Sequence, residues 1–272
     1  MFKEQSTLKI IKTFLKVRQS ILRKIVPEFI WKKYNNFDGV PIPIRSMPFS
    51  FGTKLCISSG NYEIPERILS SLVLEKGMKV IEMGTSIGIL SAIIANKIGI
   101  SGKLVTIEAS PKKCNIASSW LLKNYPNLKI INGYGFPCYK LPKGLYVKSF
   151  QEEISSLEGK VEYSFGNQEV KDKDSMPLFD IYKIENEYLF DKADLLVVDV
   201  EGAEEILFDS EIIFPESLKN IIIETHPWEY SKVDTTKCII SKICSNGFEM
   251  IHQIETSYLF SRKKVITNKK NS

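Results

Sequence analysis

From residue 79 onward the chain alternates short apolar runs with longer segments of helical spacing, and that rhythm leaves few folds open to it. Residues 79–82 read as a strand, 87–98 as a helix entered through a glycine turn, 103–108 as a second strand, 111–124 as a second helix and 128–131 as a third strand. Apolar strands joined by helices need cover on both faces, so the spacing predicts a mostly parallel sheet with helices on both faces. The same order returns at 194–199, an apolar strand ending in acid, then in a helix over 203–208, a strand at 220–224 and a helix at 235–245. Residues 248–254 and 257–261 read as a C-terminal antiparallel hairpin turning at Glu255-Thr256, which makes seven strands in the sheet.

Upstream, a helix is expected over 63–74, with Ile64, Ile68, Leu69, Leu72 and Val73 on one side. Residues 37–60 carry Gly39, Pro41, Pro43, Pro48, Gly52 and Gly60 and read as an ordered loop or linker. Residues 7–26 read as a helix: Leu8, Ile11, Leu15, Leu22 and Ile25 recur at helical spacing, Phe14 and Ile21 widen the stripe, and Pro27 ends or kinks it. Between 134 and 190, strand-like pieces at 145–150, 160–165 and 180–184 are separated by polar breaks. The expected organisation is a basic amphipathic helix and linker at 1–60, one α/β domain at 61–262 and a basic tail at 263–272.

The segment Val80-Ile81-Glu82-Met83-Gly84-Thr85-Ser86-Ile87-Gly88 carries the most chemistry. A strand ends in an acid, turns on glycine and enters a helix, at the sheet end where open α/β proteins bind ligands. Glycine lets the backbone bend sharply and approach a ligand closely. A dinucleotide loop, G-x-G-x-x-G, requires glycines where this chain has Ser86 and Ile89, and Glu82 would repel a pyrophosphate. S-adenosylmethionine carries an ammonium and a sulfonium and no phosphate, so the pattern E-x-G-x-x-x-G favours it. Glu108 ends the second strand, where a carboxylate accepts both ribose hydroxyls. The cofactor set read from the sequence is Glu82, Gly84, Thr85, Ser86, Gly88, Glu108, Ala109 and Asn132.

A second signature, Asp199-Val200-Glu201-Gly202-Ala203-Glu204, continues the strand at 194–199, and the next strand runs into Glu224-Thr225-His226-Pro227. In these motifs, and in their order and spacing over about residues 61–262, the sequence resembles the FkbM-type methyltransferase family. That resemblance implies a class I, Rossmann-like methyltransferase fold, S-adenosyl-L-methionine as donor, and O-methylation of a hydroxyl on a sugar, glycan precursor or related metabolite. The loop departs from the family's D-x-G-A-N-x-G, keeping an acid and both glycines. Residues 134–190 match poorly and are where acceptor choice is expected. They hold eleven Phe and Tyr, about twice the average density of the chain, as suits an aromatic-walled acceptor pocket or the core of short strands.

Methyl transfer from a sulfonium needs acceptor, methyl carbon and sulfur close to collinear, and an alcohol acceptor needs a base. Strand geometry puts Asp199, Glu201 and His226 at the carboxyl ends of the middle strands, as the catalytic candidates. His226 is the better base by intrinsic pKa. Asp199 orients it, binds the acceptor hydroxyl or is itself the base. Asp199 with Glu224 or His226 is also a set that holds a divalent ion, although no metal site is assigned from the sequence. In the plainer alternative, Asp199 and Glu201 cap the helix beginning near Ala203, and His226 is a turn residue before Pro227. His252, the other histidine, lies in the edge hairpin and reads as structural.

The net charge of +5 belongs to the two ends: residues 1–34 sum to +7 and residues 262–272 to +5, leaving −7 between them. An enzyme of nucleic acid would carry its basic face on the body, so DNA and RNA are disfavoured as substrates. Five cysteines without a C-x-x-C pair indicate neither a disulfide framework nor a zinc site, and point to a reducing, cytoplasmic setting. The basic helix at 7–26 fits the inner face of an anionic membrane, but packing of its apolar stripe on the domain or on a second subunit is the favoured reading, because an exposed stripe of that size is a liability. The competing functional readings are an N- or protein-directed methyltransferase, or a non-catalytic adenosyl-cofactor-binding partner protein.

Overall fold

The computed structural model describes residues 31–138, 177–201, 204, 213–226 and 235–263, together with the backbone of 145–152 and 159–165. The helix expected at 7–26 lies outside the described residues, as do the tail beyond 263 and, except for Glu204, the helix expected at 203–208. The chain divides into two units, Met1–Ile64 and Pro65–Ser272.

In the first unit, β1 (Tyr34–Phe37) and β2 (Val40–Pro43) form an antiparallel hairpin. Its turn is Asp38-Gly39, with φ of 52° and 86°, the left-handed pair that a two-residue hairpin turn demands. Helix α1 (Phe51–Ser59) is capped by Ser50, whose hydroxyl accepts the Thr53 N–H at 3.0 Å, and it stops at Gly60 with φ 79°. Residues 37–60 are therefore not the loop or linker that their Gly and Pro suggested. The punctuation marks the turn and caps of short elements.

Downstream come α2 (Ile64–Val73), β3 (Lys79–Met83), α3 (Ile89–Ile98), β4 (Lys103–Glu108), α4 (Pro111–Asn124) and β5 (Leu128–Asn132). Then follow β6 (Tyr134–Phe136), β7 (Leu145–Glu152), β8 (Gly159–Phe165), β9 (Leu178–Asp180), α5 (Ile181–Ile184), β10 (Leu195–Val198), β11 (Asn220–Glu224), α6 (Thr236–Ser245), β12 (Phe248–Ile254) and β13 (Ser257–Arg262). The main sheet has seven strands in the order β12-β13-β11-β10-β3-β4-β5. All neighbours from β11 to β5 pair parallel, and β13 runs antiparallel to both β11 and β12. A parallel sheet closed by one inserted antiparallel strand is the class I S-adenosylmethionine-dependent methyltransferase fold.

The reason is visible strand by strand. Every residue of β10 is buried and β3 is buried from Val80 to Met83, so both faces are covered. Ile81, Met83, Val105, Ile107, Leu196, Val198, Ile221 and Ile223 join one core cluster, each two residues from the next along its strand. Helix α3 buries eight of its ten residues, which is why its sequence is apolar nearly all round. Asp194 ties the amino end of the sheet, accepting the Lys79 N–H at 2.9 Å and pairing with Lys219 at 2.7 Å.

Residues 180–184 are not a strand: β9 ends at Asp180, which caps α5 by accepting the Lys183 N–H at 2.7 Å, and the helix runs on as a π turn over Glu185–Leu189. The apolar run of Ile181 and Ile184 fits both periods, and the capping aspartate selects the helical one. Strand β9 pairs parallel with β6, and β7 pairs antiparallel with β8.

Candidate active site

The loop from Met83 to Gly88 leaves β3 at the carboxyl end of the sheet and is tied to its neighbour strand. The N–H groups of Gly84 and Thr85 both donate to the Ile107 carbonyl, at 2.9 and 3.2 Å. Gly84 has φ 98°, and a Cβ there would overlap the Asp199 main-chain carbonyl at the end of β10. Gly88, with φ 86°, is pressed against the Leu121 side chain of α4. Both glycines are thus required twice over, by backbone conformation and by space. Ser86 holds φ 50°, a conformation that costs a residue with a Cβ, and its N–H donates to Glu108 Oε2 at 2.7 Å.

Glu108 is 6% exposed and also accepts the Ser110 N–H on Oε1 at 2.8 Å. Each oxygen therefore uses one lone-pair direction on the protein and keeps one for a ligand hydroxyl. Burial holds its pKa above the usual carboxylate range despite Lys113 and the two N–H groups. Asn132 donates to the main-chain carbonyls of Glu108 and Ala109, at 2.8 and 3.3 Å, so its amide fixes the strand end behind Glu108. Thr85 exchanges a hydroxyl hydrogen bond with Thr106. Glu82 is 1% exposed, and its Oε2 accepts from the Ser91 hydroxyl, while no hydrogen bond reaches Oε1 among the described residues. Burial pushes Glu82 up to about 7. All eight residues of the expected cofactor set stand together at the carboxyl ends of β3, β4 and β5. Ser91, Thr106 and Ser110, their hydrogen-bond partners, escaped the sequence reading, although a polar residue among the apolar positions of 87–98 marks Ser91.

The catalytic candidates also converge. Asp199 follows β10 directly, its N–H donating to the Met83 carbonyl at 2.9 Å, so it stands beside the loop. His226 follows β11. Its Nδ1 lies 3.0 Å from Glu204 Oε1, and its Nε2 lies 3.6 Å from Glu224, 3.8 Å from Asp199 and 3.8 Å from Glu201. Glu204, 2% exposed, also accepts the Val200 N–H at 3.1 Å. Burial of the ring opposes its charge, but the Glu204 hydrogen bond and charge, then Glu224 and Glu201, outweigh it and push His226 up to about 9. Burial and then Glu66, a buried acid of α2 that accepts from Ser257, push Glu224 up to about 7. The acids around the ring favour its charged form, which works against the expected role of His226 as a base. The turn-residue alternative is also too small, because His226 is the centre of an acid cluster. Glu204, quoted in the motif but given no role, is the residue that orients it.

The family model for Protein-L-isoaspartate(D-aspartate) O-methyltransferase matches residues 16–141. That segment contains the glycine loop, Glu108 and Asn132. Its donor side is that of an S-adenosylmethionine-dependent methyltransferase. Two curated relatives are both Protein-L-isoaspartate O-methyltransferases. The one from Methanococcus aeolicus is 41% identical over 69 residues, 25% of this chain and 32% of that protein. The one from Methanococcus vannielii is 45% identical over 65 residues, 24% of this chain and 31% of that protein. The chain thus covers about a third of the length of these relatives. Among solved structures, the O-methyltransferase from Bacillus cereus in complex with SAH aligns at a TM-score of 0.43 and 16% identity, over 73% of this chain and 80% of that one. Aeropyrum pernix fibrillarin with natively bound S-adenosyl-L-methionine aligns at a TM-score of 0.40 and 12% identity, over 69% and 66%.

These matches correct the resemblance to the FkbM-type family. The family whose model fits the donor side is the isoaspartate O-methyltransferases.

Proposed function

We propose that this chain transfers the methyl group of S-adenosylmethionine to an oxygen of a protein-borne acceptor. The observation that carries the donor half is the joint geometry of Gly84 and Glu108. A glycine turn packed on the Asp199 carbonyl lies beside a buried carboxylate with one accepting direction left on each oxygen. Gly84 and Gly88, at φ of 98° and 86°, would shape the loop around the cofactor, Glu108 would accept its ribose hydroxyls, and Glu82 places a buried carboxyl in the strand that leads into the loop. The bound sulfonium supplies an activated methyl group. Asp199 and the acid cluster stand where the acceptor has to enter, at the ends of β10 and β11.

The acceptor half rests on the relatives, whose names specify L-isoaspartate in proteins. One feature of this chain favours a second reading, an acceptor that is not a carboxylate. Asp199, Glu201, Glu204 and Glu224 surround a single imidazole, and a bare carboxylate entering there meets like charge. A single assay separates the two. Purified protein is given methyl-labelled S-adenosylmethionine with an isoaspartyl peptide, and separately with bulk protein. Label released as methanol in mild alkali marks a methyl ester and the carboxylate reading. Label stable to alkali marks an ether or amine. Absence of transfer to either contradicts the protein-directed reading.

A further inference from the structure

We propose that Asp199, Glu224 and His226 form a divalent-cation site of the transition-metal kind, Mn2+ or Zn2+. One ligand atom from each of the three lies within 4.8 Å of the other two. The arrangement around the ring is what distinguishes this from a surface cluster of acids. His226 is held from behind: Nδ1 faces Glu204 Oε1 at 3.0 Å, and Glu204 is itself fixed by the Val200 N–H. A carboxylate on the far nitrogen sets both the tautomer and the aim of the near one, the usual support of a metal-bound imidazole. Nε2 is thereby turned toward the oxygens of Glu224 and Asp199, at 3.6 and 3.8 Å.

Those distances speak for an ion rather than a direct pair. Among the described residues Nε2 makes no hydrogen bond, and N–H···O bonds close at about 2.7–3.2 Å. Two ligands on one tetrahedral ion with bonds of about 2.1 Å stand roughly 3.4 Å apart. Shifts of a few tenths of an ångström bring Nε2 to that spacing from each carboxylate, and the two carboxylate oxygens already lie within 4.8 Å of each other. An ion-pairing ring would more simply close on a carboxylate at both nitrogens, and this one does so at Nδ1 alone. One imidazole nitrogen with two carboxylates suits Zn2+ or Mn2+ better than Mg2+ or Ca2+, which prefer oxygen throughout. Two positive charges would also offset the acids that crowd the ends of β10 and β11, and offer a fixed partner to an acceptor oxygen. The site stands on its own geometry and does not depend on the methyltransferase reading.

The test uses the full chain, stripped with chelator, without S-adenosylmethionine. Mn2+ is titrated and the free ion followed by electron paramagnetic resonance. One Mn2+ per chain is expected, displaced by equimolar Zn2+ but not by equimolar Mg2+, with a 14N coupling from the imidazole in the bound spectrum. Asp199→Asn and His226→Ala should each weaken binding at least tenfold, and His226→Ala should remove the nitrogen coupling. Glu204→Gln, which touches no ion, should weaken it by about 10–100-fold. Glu249→Gln, exposed on β12, should change nothing, and a thermal melt of each variant reports whether it folds. Absence of stoichiometric binding to the wild type would overturn the proposal. So would binding that survives both Asp199→Asn and His226→Ala unchanged, or a bound spectrum without nitrogen coupling.

Discussion

Gly84 stands so close to the main-chain carbonyl of Asp199 that no side chain fits between them. The donor loop and the acid cluster are therefore one construction, joined backbone to backbone across β3 and β10. Gly84→Ala forces a methyl group into a carbonyl that the Asp199 N–H to Met83 bond holds in place. It should cost on the order of 3 kcal/mol or more and remove cofactor binding. Gly88→Ala meets the Leu121 side chain, whose end can move, and the Ala117 Cβ at 3.2 Å, with no backbone atom in the way, so its cost should be smaller, about 1–2 kcal/mol, mostly from the positive φ. Thermal melts of the two variants, side by side, check the order.

Glu108 holds two main-chain N–H groups, those of Ser86 and Ser110, before it meets any ligand. Glu108→Ala orphans both, and should lower stability by about 2–4 kcal/mol as well as weaken S-adenosylmethionine binding. Glu108→Gln keeps one acceptor oxygen and should retain most of the stability. Denaturant titration together with ligand titration separates the two losses.

The Glu82 carboxyl makes stability fall with rising pH. Folded, it keeps its proton up to about 7, whereas the unfolded chain releases it near 4.5. The folded state thus binds the extra proton between those values. The contribution is full below pH 4.5 and is lost as pH rises through 7, amounting to about 3 kcal/mol. In Glu82→Gln that loss should vanish, leaving the variant more stable than wild type at pH 8 in the absence of cofactor. Chemical denaturation at pH 5 and pH 8 measures it.

At the other end of the site, Asp199→Asn should lower turnover by about 10²-fold or more with little change in donor affinity, because the proposed acceptor entry is at the end of β10. His226, raised to about 9, should appear as imidazolium at pH 7.5 in a 15N spectrum of the metal-free protein, and its pKa should fall in Glu204→Gln. A neutral ring at that pH would restore His226 as a candidate base.

Much of this was legible in the residues themselves. Continuous apolar strands such as 195–198 and the hairpin about Glu255-Thr256 follow from period and length, and so did the seven-stranded sheet. The first unit was hidden by its own signals: Asp38-Gly39 and Ser50 are turn and cap chemistry, which a count of Gly and Pro reads as loop. Glu82 and Gly84 could be singled out because a glycine turn after an apolar strand has few uses, and Glu108 because it ends the neighbouring strand. The charge on His226 was not legible. It depends on Glu204, Glu201 and Glu224 meeting around one ring, which only the pairing of β10 with β11 brings about. The Glu82 pairing with Ser91 likewise needs α3 laid against β3.

The most direct test of the whole account is calorimetry of S-adenosylmethionine with the purified wild-type chain. One molecule per chain is expected to bind, with a dissociation constant in the micromolar range (about −8 kcal/mol). NAD titrated under the same conditions should give no heat, since Ser86 and Ile89 stand where its loop requires glycine. Binding of NAD without binding of S-adenosylmethionine would contradict the donor assignment and, with it, the proposed reaction.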